Sequence, residues 1–145
     1  MEKLRPMTKS AMRLAAIATL AAIPQMAHAQ STSMLLFPFA SNQAGFDTGI
    51  VIANTTADPF GTAQASGTCM MTFYGSGAPA QPVTTAAIAP GQTDTNLVST
   101  LAPGFQGYLI VQCKFPLARG WGFFSNGAAK EAASIQAEVI TSLPR

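Results

Sequence analysis

Carboxylates are the side chains of this sequence with the clearest capacity for catalysis. Downstream of residue 29 the chain carries the acidic residues Asp47, Asp58, Asp94, Glu131 and Glu138. Only Asp47, within Gly45-Phe-Asp-Thr-Gly49, lacks an obvious structural position. Glycosidases pair two carboxylates across the bond they cleave, and Asp-Thr-Gly also occurs in aspartic proteases. One hypothesis is therefore a small hydrolase that uses Asp47 with another carboxylate. The alternative is that Asp47 begins a strand and binds nearby backbone.

Histidine is the residue that most other catalytic arrangements need, and the chain contains one, His28. It precedes a signal-peptide cleavage site expected after Ala29, so the exported chain would have no histidine. Histidine is the commonest general base at neutral pH and the commonest metal ligand. Ser-His-Asp triads, Cys-His pairs and histidine-ligated zinc are therefore excluded for the exported chain.

Calcium is the one metal for which the sequence offers ligands. Asp47, Asn54 and Asp58 bracket one predicted strand and the turn after it, and calcium accepts carboxylate and amide oxygens in flexible geometry. Their spacing follows no regular calcium motif, so they form only a weak candidate site, and no other metal or cofactor is expected. Asn54-Thr-Thr56 also matches the N-glycosylation acceptor, which we treat as incidental beside a bacterial-type signal.

Aromatic side chains suggest ligand binding without catalysis. The single tryptophan, Trp121, lies in Arg119-Gly-Trp-Gly-Phe-Phe124. Glycines in a strand leave room for a large ring or for an approaching ligand. Trp121, Phe123 and Tyr108 are thus candidates for stacking on a sugar or another small ligand. Packing of Trp121 in the core is the alternative.

The two cysteines, Cys69 and Cys113, predict a structural disulfide. In an oxidising compartment an even pair is first interpreted as a bond. No C-x-x-C spacing supports a redox role, and two thiols without a histidine make a poor metal site. Each cysteine also falls on the more apolar side of its predicted strand, which is the position that a bond inside a sandwich requires.

Residues 1–29 are predicted to form a cleavable secretory signal peptide, which leaves 30–145 as a single β-sandwich domain. A basic stretch precedes an apolar run at 14–23, and Ala27-His-Ala29 supplies the small residues that signal peptidase requires. The apolar run is half the roughly 20 residues that a membrane span needs. Removing the leader changes the formal charge from +2 to −1. We therefore expect no membrane span after cleavage. We also expect no basic surface of the kind that binds nucleic acid.

The elements that must position these side chains are short β-strands. Runs of β-type residues lie at 34–39, 46–54, 68–74, 83–88, 93–101, 107–114, 117–125 and 135–140. The last run is either a strand or a short helix that begins within 128–133. Pro90-Gly91 and Pro103-Gly104 have the order that a type II turn favours. The spacing predicts an all-β fold, a single antiparallel β-sandwich of about seven to eight short strands.

Several segments occur together in an order that is similar to a group of uncharacterised secreted bacterial proteins. They are LLFPF at 35–39, NQAGFDTGI at 42–50, GTC at 67–69 and APGFQGY at 102–108. The chain resembles that group over most of residues 30–145. More loosely, it resembles β-sandwich units of bacterial surface proteins. The resemblance implies an exported β-domain, and it implies no activity and no catalytic residue.

These observations predict a non-catalytic protein, secreted or at the cell surface, with a structural, adhesive or assembly role. The expected partner is a second copy of the chain or a component of the cell surface or matrix. Residues 34–39 are a candidate for strand addition to a neighbour's sheet. The favoured interpretation is that they form the first strand of their own domain, and Pro38 suggests an edge position. A carbohydrate- or small-ligand-binding module is the alternative function.

Overall fold

The structure is a computed structural model that describes residues 32–126 and 132–141, and these form nine strands and one helical turn. The elements in chain order are β1 (Ser33–Ser41), β2 (Asp47–Asn54), β3 (Cys69–Ser76), β4 (Val83–Thr84), β5 (Thr93–Leu97), α1 (Val98–Leu101), β6 (Gln106–Cys113), β7 (Ala118–Ser125), β8 (Ala132–Gln136) and β9 (Glu138–Val139). The predicted signal peptide, 1–29, lies outside the described residues, as does Glu131.

The strands form two antiparallel sheets. The five-stranded sheet has the order β4-β3-β6-β1-β9, and the four-stranded sheet has the order β5-β2-β7-β8. The inner faces meet where Phe37 and Leu35 of β1 pack over Gly120 of β7, at which an added Cβ would lie 2.7 Å from Phe37 Cζ. The prediction of an all-β antiparallel sandwich is confirmed.

Strand alternation builds the core. In β3, Cys69, Met71 and Phe73 are buried, whereas Met70 and Tyr74 are exposed, as expected when successive side chains point to opposite faces of a sheet. The connecting segments add large rings to the same core. Phe105 is fully buried and meets Phe73 edge to face at 5.0 Å between ring centroids.

The predicted disulfide between Cys69 and Cys113 is confirmed. The two residues lie directly opposite each other on the neighbouring strands β3 and β6, with their Cα atoms 4.0 Å apart. Both are buried on the inner face of the five-stranded sheet. The bond closes a sequence separation of 44, for which the chain-entropy account gives a stabilisation of about 4 kcal/mol.

The first strand, β1, pairs within its own domain, which is the interpretation favoured over strand addition to a neighbour. β1 pairs with β6 from Ser33 to Ser41 and with β9 at Leu35 and Leu36. Its register against β6 shifts between Phe37 and Ala40. Pro38 lies in that irregularity. Because β9 pairs only with Leu35 and Leu36, no described strand pairs with Pro38 at the edge of β1 that faces β9. Its missing N–H is tolerated there.

Three predicted runs differ from the observed elements. The run at 83–88 forms only β4, followed by a single bridge between Gly67 and Ile88. The run at 93–101 is strand β5 in its first half and helical turn α1 in its second. The run at 135–140 divides at buried Ala137, with β8 in one sheet and β9 in the other. Of the alternative helix at 128–133, residues 128–131 lie outside the described chain, and the remaining two begin β8.

The two Pro-Gly turns form as predicted. Gly91 and Gly104 have φ of 76° and 78°. The Gln92 N–H donates to Ala89 O at 3.0 Å, and the Phe105 N–H donates to Ala102 O at 3.1 Å, which closes each four-residue turn. In the ranges that the structure describes, no helix has the length and apolar character to cross a membrane.

Candidate functional site

Asp47 has a structural role at the beginning of β2. Its Oδ1 accepts hydrogen bonds from the backbone N–H of Thr48 at 2.9 Å and of Ser99 at 3.0 Å, and its Oδ2 accepts one from Ser99 Oγ. Both carboxylate oxygens are thus engaged in fastening α1 to β2. This is the alternative to the hydrolase hypothesis, and the geometry leaves that hypothesis without support from Asp47.

Asn54 lies at the other end of β2 and is buried. Its Nδ2 donates to Ala65 O at 2.8 Å and to Ile88 O at 2.9 Å, and its Oδ1 accepts from Thr56 Oγ1 at 2.7 Å. The amide therefore ties two connecting segments to the end of the strand. A side chain used in this way is not accessible for glycosylation, although it stands in an acceptor sequence.

The three calcium candidates do not form one site. Asp47 and Asn54 are the first and last residues of β2, and a rise of about 3.3 Å per residue separates them by roughly 23 Å. Asp58 Oδ1 accepts from Phe60 N at 2.8 Å within its own turn. Hydrogen bonding from the Thr62 side chain, together with backbone bonds, lowers the pKa of Asp58 below its ordinary value. Among the described residues no group of three or more His, Cys, Asp or Glu could hold a metal ion.

The aromatic candidates divide between the two sheets. Trp121 and Phe123 lie on the outer face of the four-stranded sheet, on β7, because their neighbours Gly120 and Gly122 are buried on the inner face. Tyr108 lies on the outer face of the other sheet and stacks on Tyr74, with ring centroids 5.0 Å apart and planes 12° from parallel. Tyr108 therefore lies on a different face from Trp121 and Phe123, and the three candidates belong to two separate surfaces. Trp121 is partly exposed and is not part of the core.

Strand register assembles a second group of residues around Trp121. Gly49 pairs with both Leu97 of β5 and Phe123 of β7, and residues paired in this way share a face. Leu97 and Phe123 are 50% and 49% exposed. We name Leu97, Trp121 and Phe123 the aromatic platform. The rings of Trp121 and Phe123 meet edge to face, 6.4 Å apart and at 88°.

Polar side chains border the aromatic platform. A depression of about 380 Å³ beside the two rings is lined by residues that include Arg119, Ser134 and Gln136. Thr95 shares the outer face, because it pairs with Val51, which pairs in turn with Trp121. We name Thr95, Arg119, Ser134 and Gln136 the polar rim. All four are exposed.

Comparison with known proteins gives no relative. No protein-family model, curated protein or solved structure matches this chain. The resemblance to secreted bacterial proteins therefore stays a prediction. The function must be inferred from the positions of the side chains themselves.

Sequence reasoning missed Leu97, Gly49 and the polar rim. Alternation along β5 does place Thr93, Thr95 and Leu97 on one side of a strand. Nothing in the sequence, however, shows that β5 pairs with β2 on the side away from β7. The signal that was available is the alternation of β7 itself, in which glycines occupy one face and Trp121 and Phe123 the other.

Two of the motifs behind the resemblance have structural explanations. Asn42 Oδ1 accepts from Phe105 N at 2.9 Å, and Gln43 Nε2 donates to Gly104 O at 2.7 Å. These bonds hold the turn before β6. Gly67 lies so close to Lys114 that a Cβ added to Gly67 would lie 2.6 Å from the Lys114 carbonyl oxygen. Asn42, Gln43 and Gly67 of these motifs therefore help to close the sandwich.

The outer face of the five-stranded sheet is also apolar. Register and alternation place six large side chains there, on β1, β3 and β6: Met34, Leu36, Met70, Tyr74, Tyr108 and Ile110. We name these the methionine–tyrosine face. Separately, Phe60 is 89% exposed in the turn that Asp58 holds. A single exposed side chain such as Phe60 is normal on a protein surface, whereas the methionine–tyrosine face is a contiguous group.

Proposed function

We propose that this protein is a non-catalytic β-sandwich that acts outside the cytoplasm by adhesion, binding a cell-surface or matrix component through its outer faces. The observation that carries this proposal is the contrast between its reactive and its exposed groups. Asp47, the carboxylate that the sequence singles out as a catalytic candidate, is engaged in hydrogen bonds that hold the fold. The side chains left in contact with water include Tyr74, Tyr108, Leu97 and Phe123.

Export is part of this proposal, and two features support it. The leader at 1–29 has the order of charge, apolar run and small residues that directs secretion. The Cys69–Cys113 bond is of a kind that persists in oxidising compartments and is rare in the cytosol. Mass spectrometry of the exported protein should find Gln30 at its N-terminus and no free thiol.

Adhesion is favoured over a purely structural role because the exposed apolar side chains are concentrated. On the methionine–tyrosine face, exposed Met70, Tyr74 and Tyr108 come from the adjacent strands β3 and β6. Half-buried Met34 and Leu36 of the next strand, β1, extend the same patch. Scattered single apolar residues are normal on any surface, whereas contiguous apolar patches mark interaction sites. Self-association through the same surfaces is the second form that this role could take.

A sedimentation assay tests the proposal. The protein is expressed from its full sequence of 145 residues in a host that exports it, and is then mixed with intact cells or isolated envelopes of the producing organism. We expect a saturable bound fraction that falls when Tyr74→Ser and Tyr108→Ser are combined, or when Trp121→Ala is introduced. Gln81→Ala, at an exposed position in a turn away from these side chains, is the matched control and should bind normally.

Two results would contradict adhesion. One is a protein that stays in the supernatant and remains monomeric by light scattering at every concentration. The other is turnover of a substrate by the purified protein that is retained after the outer-face substitutions.

A further inference from the structure

The strand that carries the aromatic platform has an inverted pattern. β7 directs Ala118, Gly120 and Gly122 into the sandwich and presents Trp121 and Phe123 to solvent. Burial of large apolar side chains is the main driving force of folding, so a strand that only served the core would place its rings inside. Phe124, near the end of the strand, does pack within the fold by stacking on Phe46, whereas Trp121 and Phe123 are placed to contact something outside it.

The platform has a gap at its centre. Across the sheet, Leu97, Gly49 and Phe123 lie side by side, and the missing side chain at Gly49 leaves a slot between the two exposed neighbours. A Cβ built at Gly49 would lie 3.9 Å from Leu97 Cδ2 and 3.9 Å from Phe123 Cβ, which is ordinary contact. The fold therefore does not need a glycine at this position for reasons of space.

The rings of Trp121 and Phe123 are nearly perpendicular. Their planes are at 88° and their centroids 6.4 Å apart, so a ligand in the angle meets the face of one ring and the edge of the other. On the methionine–tyrosine face, by contrast, Tyr74 and Tyr108 lie nearly parallel, and each covers one face of its partner.

The polar rim supplies hydrogen-bonding groups at the edge of these rings. Gln136 pairs directly with Trp121, and Ser134 pairs with Phe123. No hydrogen bond joins the side chains of Arg119, Ser134 or Gln136 to another described residue. An amide, a hydroxyl and a guanidinium can together donate to and accept from a ligand rich in hydroxyl groups.

We propose that the aromatic platform and its polar rim form a binding site for a neutral carbohydrate chain. This inference rests on the proposed adhesive function and names its ligand class. A pyranose ring has an apolar C–H face that packs on an aromatic ring and a periphery of hydroxyls that needs polar partners. Ligand sites of this type combine aromatic walls with a few convergent polar groups. The platform and the rim together have both, and together they span four strands, which is about 14 Å at ~4.8 Å per strand spacing.

Charge distinguishes this ligand from anionic polymers. Among the residues of the platform and rim the only cation is Arg119, whereas binding of a polyphosphate backbone depends on several lysines or arginines. No carboxylate belongs to either group, so a cationic ligand has no counter-charge there. A neutral ligand with many hydroxyls fits these residues best, and a protein surface is the competing occupant that the experiment must separate.

Trp121 is the only tryptophan of the chain, so its fluorescence reports on the platform alone. The exported protein is titrated with oligosaccharides from β-glucan, chitin and mannan, and it is screened on a glycan array. We expect a saturable change in Trp121 emission with at least one neutral glycan. Trp121→Ala should weaken array binding by about thirtyfold, the loss typical of truncating an aromatic anchor. Phe123→Ala should weaken the binding measured by fluorescence.

Two further variants separate the site from general damage. Gly49→Ala places a methyl group in the slot without a steric clash. It should weaken glycan binding and leave the thermal unfolding temperature unchanged. Tyr108→Ala removes an exposed ring from the opposite face of the sandwich and should leave glycan binding unchanged. Loss of glycan binding in Tyr108→Ala together with its retention in Trp121→Ala would overturn the assignment of the site.

The remaining outcomes distinguish this inference from the proposed function. If no neutral glycan binds while the protein still sediments with cells, the ligand class is wrong and adhesion stands. If Trp121 emission depends on protein concentration and not on sugar, the platform is an interface between copies and the inference fails. If the protein binds neither cells nor glycans, both proposals fail.

Discussion

β3 and β7 use the same strand alternation in opposite ways. β3 directs its cysteine and large apolar side chains into the sandwich, namely Cys69, Met71 and Phe73. β7 directs Ala118, Gly120 and Gly122 inward before Phe124 near its end, and it holds Trp121 and Phe123 outside. Both patterns have a period of two, and both strands lie inside their sheets. The side that is apolar therefore does not by itself tell which side faces the core.

The contrast has a steric cause. Gly120 lies beneath Leu35 and Phe37, whose side chains occupy the volume that a residue on β7 would otherwise fill. The core opposite Gly120 is thus filled from β1, and the large side chains beside it, Trp121 and Phe123, lie on the solvent side. The difference separates a strand whose inner face supplies large side chains to the core from a strand whose inner face leaves that volume to β1, although both strands present large side chains to solvent.

Removing the disulfide should have the largest effect on the β3 side of this comparison. With Cys69→Ala and Cys113→Ala combined, the free energy of unfolding should fall by about 4 kcal/mol, because the bond no longer restricts the unfolded chain. Denaturant titration followed by far-UV circular dichroism measures this. The wild-type protein under reducing conditions should show the same loss. A fall below about 1 kcal/mol would mean that β3 and β6 are held mainly by packing.

Phe73→Ala should be nearly as costly. Phe73 is 6% exposed and packs on Phe105, so truncation leaves a cavity in the core at a cost of about 3 kcal/mol. Its matched control is Phe123→Ala, which removes the same side chain from the outer face of β7. Equal losses of unfolding free energy in the two variants would contradict the distinction between the strands.

Gly120→Ala tests the steric cause directly. The new Cβ would stand 2.7 Å from Phe37 Cζ and 3.2 Å from Ala137 Cβ, and overpacking of this kind costs about 2 kcal/mol. Gly49→Ala, with its nearest neighbours at 3.9 Å, is the matched control and should not destabilise the fold. Thermal unfolding of the two variants side by side gives the answer. An unchanged Gly120→Ala protein would show that Phe37 can move aside.

Much of the β3 side of the molecule could be predicted from sequence, and the β7 side could not. The alternation of Cys69, Met71 and Phe73, the disulfide and the Pro-Gly turns each follow from local patterns. The inward face of β7 depends on which strand lies opposite, and that is a property of the assembled sheets. Likewise, Tyr108 and Trp121 are both aromatic residues in strands, and only the sheet order places them on opposite faces.

The hydrogen-bond partners of polar side chains also could not be predicted from the sequence. Asp47 stood out because no neighbour in sequence explained it. Its partner Ser99 is 52 residues away. Asn54 similarly binds Ile88, which is 34 residues away. Contacts at such separations depend on the fold, so a side chain that looks free in the sequence can be fully engaged in the structure.

Among the truncations of large side chains, Trp121→Ala should have a small effect on stability, and this small effect is informative. Trp121 lies on the outer face over Val51, with which it is paired, so its truncation exposes some apolar surface and creates no cavity in the core. The free energy of unfolding should fall by about 1 kcal/mol or less, as for surface substitutions away from special features. Denaturant titration monitored by circular dichroism measures it without relying on the lost tryptophan signal. A loss comparable with that of Phe73→Ala would show that Trp121 serves the fold, and it would remove the reason for regarding β7 as a strand that carries its rings for a ligand.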